Sequence, residues 1–145
     1  MKKLLLGMLA GFVLGTAGAA DLNWQTDLPK ALAQATAEHK LVLLNFTGSD
    51  WCGWCIKLDA DTFAKPEFAA YAQTNLVLVV VDFPHATPQA ADLKAANAEL
   101  GKKYSIQGFP TLIALKPDGT VALQQVGYLA GGPQALIAKL DEAKK

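Results

Sequence analysis

A three-layer α/β sandwich, with a mixed central sheet flanked by helices, is the fold this sequence predicts. Three observations predict it. Residues 41–46 and 76–82 are continuous apolar runs, the pattern of strands buried on both faces. A helical pattern separates them, so they read as parallel strands joined by a crossover helix. Residues 111–115 and 120–126 flank Pro117-Asp118-Gly119, which reads as an antiparallel hairpin.

Each element has its own signal. Over residues 27–39, Leu28, Ala31, Leu32 and Ala35 recur at helical spacing. Asp27 stands where it can cap that helix, just before Leu28-Pro29. The first long strand follows, then a polar loop, 47–50, containing Gly48. A helix is expected from Cys52 through Leu58 toward Phe63. Pro66 cannot lie inside a regular helix, so it is expected to open a second one running to Gln73. After the strand at 76–82 comes a loop, 83–88. Thr87 is expected to cap a helix from Pro88 to about Tyr104. The hairpin, a loop at 127–132 and a closing helix over 133–143 complete the chain. In that last helix Leu136, Ile137 and Leu140 face inward.

Residues 1–19 read as a secretory signal peptide. Lys2 and Lys3 precede an apolar run at 4–14, and small residues Thr16-Ala17-Gly18-Ala19-Ala20 precede polar Asp21. The run is too short to span a bilayer comfortably. Cleavage after Ala19 or Ala20 leaves residues 20–145 as one domain with a modest core. The expected location is periplasmic or otherwise exported, where the medium is oxidising. The chain has 145 residues, with 13 Lys+Arg and 13 Asp+Glu, and all the basic ones are lysine. Losing Lys2 and Lys3 leaves 11 lysines against 13 acids. That balance leaves no electrostatic footprint for nucleic acid.

The chain has 2 cysteines, Cys52 and Cys55, in the run Ser49-Asp50-Trp51-Cys52-Gly53-Trp54-Cys55. They fall at the carboxyl end of the first long strand, where open α/β sheets place their sites. At this spacing the first sulfur can attack a disulfide and the second can resolve the mixed disulfide. If the pair opens a helix, the partly positive helix start lowers the first thiol's pKa. Zinc would need about four ligands, and His39 and His85 lie at no finger spacing. A c-type haem would need His after Cys55, where Ile56 stands. A staple closing so short a loop would stabilise little. The pair therefore points to thiol–disulfide exchange, with no metal, nucleotide or organic cofactor.

Further motifs carry a resemblance. The run Phe46-Thr47-Gly48-Ser49 leading into the cysteines, Thr62-Phe63, Pro66-Glu67, and Tyr104-Ser105-Ile106-Gln107-Gly108-Phe109-Pro110-Thr111 together resemble the thioredoxin superfamily. More narrowly they are similar to exported members: the C-terminal domain of the reductant transporter DsbD and bacterial disulfide-isomerase-like proteins. The resemblance covers nearly all of the mature chain. It implies a thioredoxin-like fold, Cys52 as the exposed nucleophile and Cys55 as the buried resolving thiol. It implies a cis bond before Pro110, leaving Phe109 backbone groups to pair with an extended client segment. It also implies exported client proteins bearing disulfides or thiols, and a membrane partner that supplies electrons.

The sequence departs from the family pattern in three places. Asn45 stands nearest the buried aspartate of thioredoxins and cannot take a proton. Leu78 stands near the place of the accompanying lysine. Gly53-Trp54 is neither the Gly-Pro of thioredoxin nor the Pro-His of DsbA, so the usual guide to redox potential is missing. Asp50 is the nearest alternative acid, though such a residue is more often a solvated loop charge. Glu38, Asp59 and Asp61 read as surface charges. Trp51 is expected to wall the site, and Trp54 to offer apolar contact to a client. Gly127 and Tyr128 are expected to border the client groove. Trp24 reads as a core-edge aromatic, and His39 and His85 as structural or solvated. A reductase is the favoured reading. An oxidase or isomerase, and a non-catalytic binding module on the same fold, remain open at this point.

Overall fold

The computed structural model describes residues 21–145, so the signal peptide expected at 1–19 lies outside the described residues. The elements run β1 (Trp24–Gln25), α1 (Leu28–Glu38), β2 (Leu41–Thr47), α2 (Gly53–Leu58), a π-helical turn (Asp59–Phe63), α3 (Pro66–Asn75), β3 (Leu76–Asp82), α4 (Ala91–Lys103), β4 (Thr111–Leu115), β5 (Val121–Val126) and α5 (Gly132–Ala143). The five strands lie in the order β1-β3-β2-β4-β5. β1 and β2 run parallel to β3, whereas β4 runs antiparallel to both β2 and β5. The sheet is therefore mixed, as the two apolar runs and the terminal hairpin require.

Strand alternation splits the core between the two sheet faces. Leu41, Leu43, Leu76, Leu78, Leu112 and Ala114 point to one face. There they meet Leu58, Phe63, Phe68, Leu136 and Leu140 from α2, the π turn, α3 and α5. Val42, Leu44, Phe46, Val77, Val79, Val81, Ile113 and Leu115 point to the other face, against Leu28, Ala31 and Ala35 of α1. Leu100 of α4 and Tyr104 just beyond it pack on that second cluster. Helix, sheet and helix make the expected three layers. No helix among the described residues is long and apolar enough to cross a membrane.

The helix starts follow local chemistry. The Asp27 carboxylate accepts the Lys30 N–H at 3.0 Å and caps α1. Pro66 stands in the first turn of α3, where its missing N–H costs nothing. Three boundaries differ from the sequence reading. β1 has only two residues, too few for a period to register. Trp24 on that strand packs edge-on against Phe63, with ring centroids 5.2 Å apart. The second half of the cysteine helix is wound as a π turn, which buries Thr62 and Phe63 together. Thr87 does not cap α4, which begins at Ala91 with Ala90 before it.

Candidate active site

Cys52 and Cys55 form a disulfide. Cys52 is the N-cap of α2: its backbone is extended, and its Sγ accepts the Cys55 N–H at 3.2 Å. The Gly48 carbonyl accepts from both Trp51 N and Cys52 N, a tight turn that delivers the pair from β2 into α2. Cys52 is more covered than the resemblance implied, at 6% exposure, whereas Cys55 is buried, at 2%, as the resemblance implied. The N-cap geometry explains this, because it folds the Cys52 sulfur onto the first turn of the helix. The Phe109–Pro110 peptide bond is cis and Pro110 is buried. Gly127, with φ +80°, donates its N–H to the Pro110 carbonyl at 2.8 Å. That bond ties the proline loop to the end of β5.

Aromatic walls stand on both sides. Trp51, 41% exposed, donates its Nε1–H to the Phe83 carbonyl at 2.8 Å. The Phe109 ring meets Trp51 edge-on at 5.7 Å and also packs on Phe83 at 5.3 Å. On the far side Trp54 is 59% exposed and leans on Tyr128, with centroids 5.3 Å apart. Tyr128 is itself fixed, since its hydroxyl donates to Asp61 at 2.6 Å. Lys57 pairs with the same carboxylate at 2.8 Å. Asp61 is thus the anchor of this wall, a role its sequence surroundings did not reveal.

A family described as a thioredoxin-like domain matches residues 28–144. The chain belongs to the thioredoxin-like family. It is 37% identical over 127 residues to the disulfide bond reductase DsbH of Chlamydia pneumoniae, covering 88% of this chain and 75% of that protein. It is 37% identical over 93 residues to DsbD 2 of Pseudomonas aeruginosa, covering 64% of this chain and only 14% of that protein. Among solved structures, a DsbH oxidoreductase superposes with a TM-score of 0.82 at 33% identity, covering 96% of this chain and 94% of that one. The oxidised Cys52–Cys55 pair and these relatives together define a thiol–disulfide oxidoreductase of the Dsb type.

Against the thioredoxin-like pattern, the acid positions are rearranged. Asn45 is buried on β2, and its Oδ1 has no hydrogen-bond partner. In register it lies beside Val80 of β3, while Leu78 lies beside Leu43, so an apolar side chain flanks Asn45 there. Asp59 follows Cys55 by four residues, and the two lie one above the other on the helix. Asp59 keeps an exposed edge, yet desolvation, and then the charge of Asp82, raise its carboxyl above the usual range. Asp59 is thus an exposed charge, as expected, whose carboxyl feels the partial desolvation of its site.

The expectation for Asp50 is corrected. It is neither a free loop charge nor a proton carrier, because its carboxylate gathers three backbone N–H groups. His85 donates at 2.9 Å, Ala86 at 2.8 Å and Thr87 at 2.7 Å. Thr87 gives its N–H to Asp50, and α4 opens only at Ala91, four residues later. The bonds from His85 and Thr87 hold the Asp50 carboxyl far below the ordinary carboxylate range. A carboxyl with a depressed folded pKa stabilises the fold above its unfolded pKa of about 3.9, and that contribution fades as pH falls below it. Asp50→Asn is expected to flatten this part of the acid response. Urea midpoints measured between about pH 6 and pH 2 will drop less steeply in the variant. Parallel curves for the two proteins would overturn the assignment.

Proposed function

We propose that this oxidoreductase works as a reductase of disulfides in exported client proteins. The observation that carries the exchange chemistry is the hydrogen bond from Cys55 N–H to Cys52 Sγ at the start of α2, and the reductase direction rests on the separate supports given below. In the reduced state the same N–H supports negative charge on Cys52, making it the attacking thiolate. Cys52 attacks one client sulfur, a mixed disulfide forms, and the other client sulfur leaves as a thiolate. Cys55, as thiolate, then attacks the Cys52 sulfur. The Cys52–Cys55 disulfide closes and the client leaves with both sulfurs reduced. Two electrons have passed to the client. Trp51, Trp54, Phe109 and Gly127 border the groove that receives the client, and buried Pro110 forms its floor. A membrane dithiol partner of the DsbD kind restores the reduced pair. The site lies in residues 20–145, after removal of the signal peptide at 1–19, in the periplasm or an equivalent exported space.

The direction rests on two supports. No histidine lies between the cysteines to stabilise the thiolate further and make the couple more oxidising. The DsbH relative is named a reductase. Equilibration with glutathione buffers is expected to place the couple below about −200 mV, toward the thioredoxin end of the known range. A potential near −120 mV, the DsbA level, would make the protein an oxidant and refute the direction while leaving the exchange chemistry intact.

A further inference from the structure

His85 lies 33 residues beyond Cys52 in the sequence, on the loop after β3, and nothing in its immediate surroundings marks it. The fold lays its imidazole flat on the Trp51 indole, with centroids 4.4 Å apart and planes 5° from parallel. Gly48 also lies close against the indole: a Cβ there would overlap Trp51 at Cε2, Cζ2 and Nε1. The indole edge is held by the Phe83 carbonyl and by the Phe109 ring. Trp51 is thus closely approached by both a glycine and a stacked imidazole. It precedes the N-cap cysteine directly, and it touches the residue that precedes the cis proline.

We propose that His85 is a positioning residue for the redox pair, acting through Trp51. The inference rests on the exchange reading above. Stacking fixes the indole, and the indole fixes the turn that presents Cys52 at the helix start. Without the imidazole one face of Trp51 opens to solvent and the turn loosens. Cys52 then spends less time aligned on the Cys55 N–H, and its thiolate fraction falls. The backbone of His85 has a separate task, donating to Asp50, and a side-chain substitution leaves that bond in place. Asp50 itself is engaged by three N–H groups, so the side chain of His85 is not needed to neutralise it.

The test compares His85→Ala, which removes the stack, with His85→Phe, which restores a flat ring. The readout is the rate of Cys52 alkylation by iodoacetamide in the reduced protein at pH 7, supported by the glutathione equilibrium constant. His85→Ala is expected to alkylate about tenfold more slowly, a smaller loss than the hundredfold that a 1 Å misplacement can bring. Its glutathione equilibrium should shift toward the disulfide, and His85→Phe should recover most of both effects. Wild-type rates in His85→Ala would overturn the proposal, as would a His85→Phe protein that behaves like the alanine variant. Alkylation needs no client, so failure here stays distinct from failure of the exchange reading, which would appear as a wild-type protein unable to reduce insulin.

Discussion

Replacing Cys55 with serine is expected to trap client proteins on Cys52 as stable mixed disulfides. Cys52 keeps its place at the N-cap of α2, where the backbone N–H of residue 55 still reaches its sulfur. Attack on a client therefore proceeds, while the thiolate that would release the client is gone. Turnover should fall by at least about a thousandfold, because the covalent route stops after its first step. Cys52→Ser should lose turnover to a similar extent and trap nothing, since the remaining thiol is the more buried of the two, at 2% exposure. Non-reducing gels and mass spectrometry of the captured species decide between the roles. Equal trapping by both variants, or trapping by Cys52→Ser alone, would reverse the assignment of nucleophile and resolving thiol.

Phe46→Ala is expected to cost about 3–5 kcal/mol of folding stability. Phe46 is fully buried on β2. It sits in the cluster between the sheet and α1, and its ring meets Tyr104 edge-on at 6.0 Å. The neighbours are strands held in register on both sides: Phe46 pairs with Val81 of β3 and Thr111 of β4. Such a framework cannot collapse far into the vacated volume, so the cavity cost adds to the lost burial. Native domains hold only about 5–15 kcal/mol in total. The variant should unfold at a much lower urea concentration, read by far-ultraviolet circular dichroism. A loss below about 1 kcal/mol would mean that the site does collapse or admits water, and that the packing described for this face is wrong.

How much was legible in the sequence depended on the range of the interaction that carries each feature. Residues 76–82 and 111–115 match their strands in the structure because a strand buried on both faces must be apolar at every position. Pro66 marks the start of α3 because a proline ring tolerates only the first turn. Cys52 and Cys55 declare their chemistry through spacing, and the run ending in Pro110 brought the expectation of a cis bond, which the structure contains. These are local signals, or signals of composition, and they need no knowledge of neighbours in space.

The remaining features were decided by contacts between distant segments. The Asp50 carboxylate draws in the backbone at 85–87, some 35 to 37 residues away, and α4 starts beyond that stretch, at Ala91. Trp51 gains its imidazole partner and its carbonyl anchor from the loop after β3. β1 is a strand only because β3 offers it an edge, for two residues carry no period of their own. Asp59, on the π turn, has its carboxyl raised by partial desolvation and by Asp82 at the end of β3. The sequence by itself determined the layers, the reacting sulfurs and the family. Tertiary structure alone decided which side chains surround those sulfurs, because a polar or aromatic residue in a loop has no fixed partner until the sheet brings one to it.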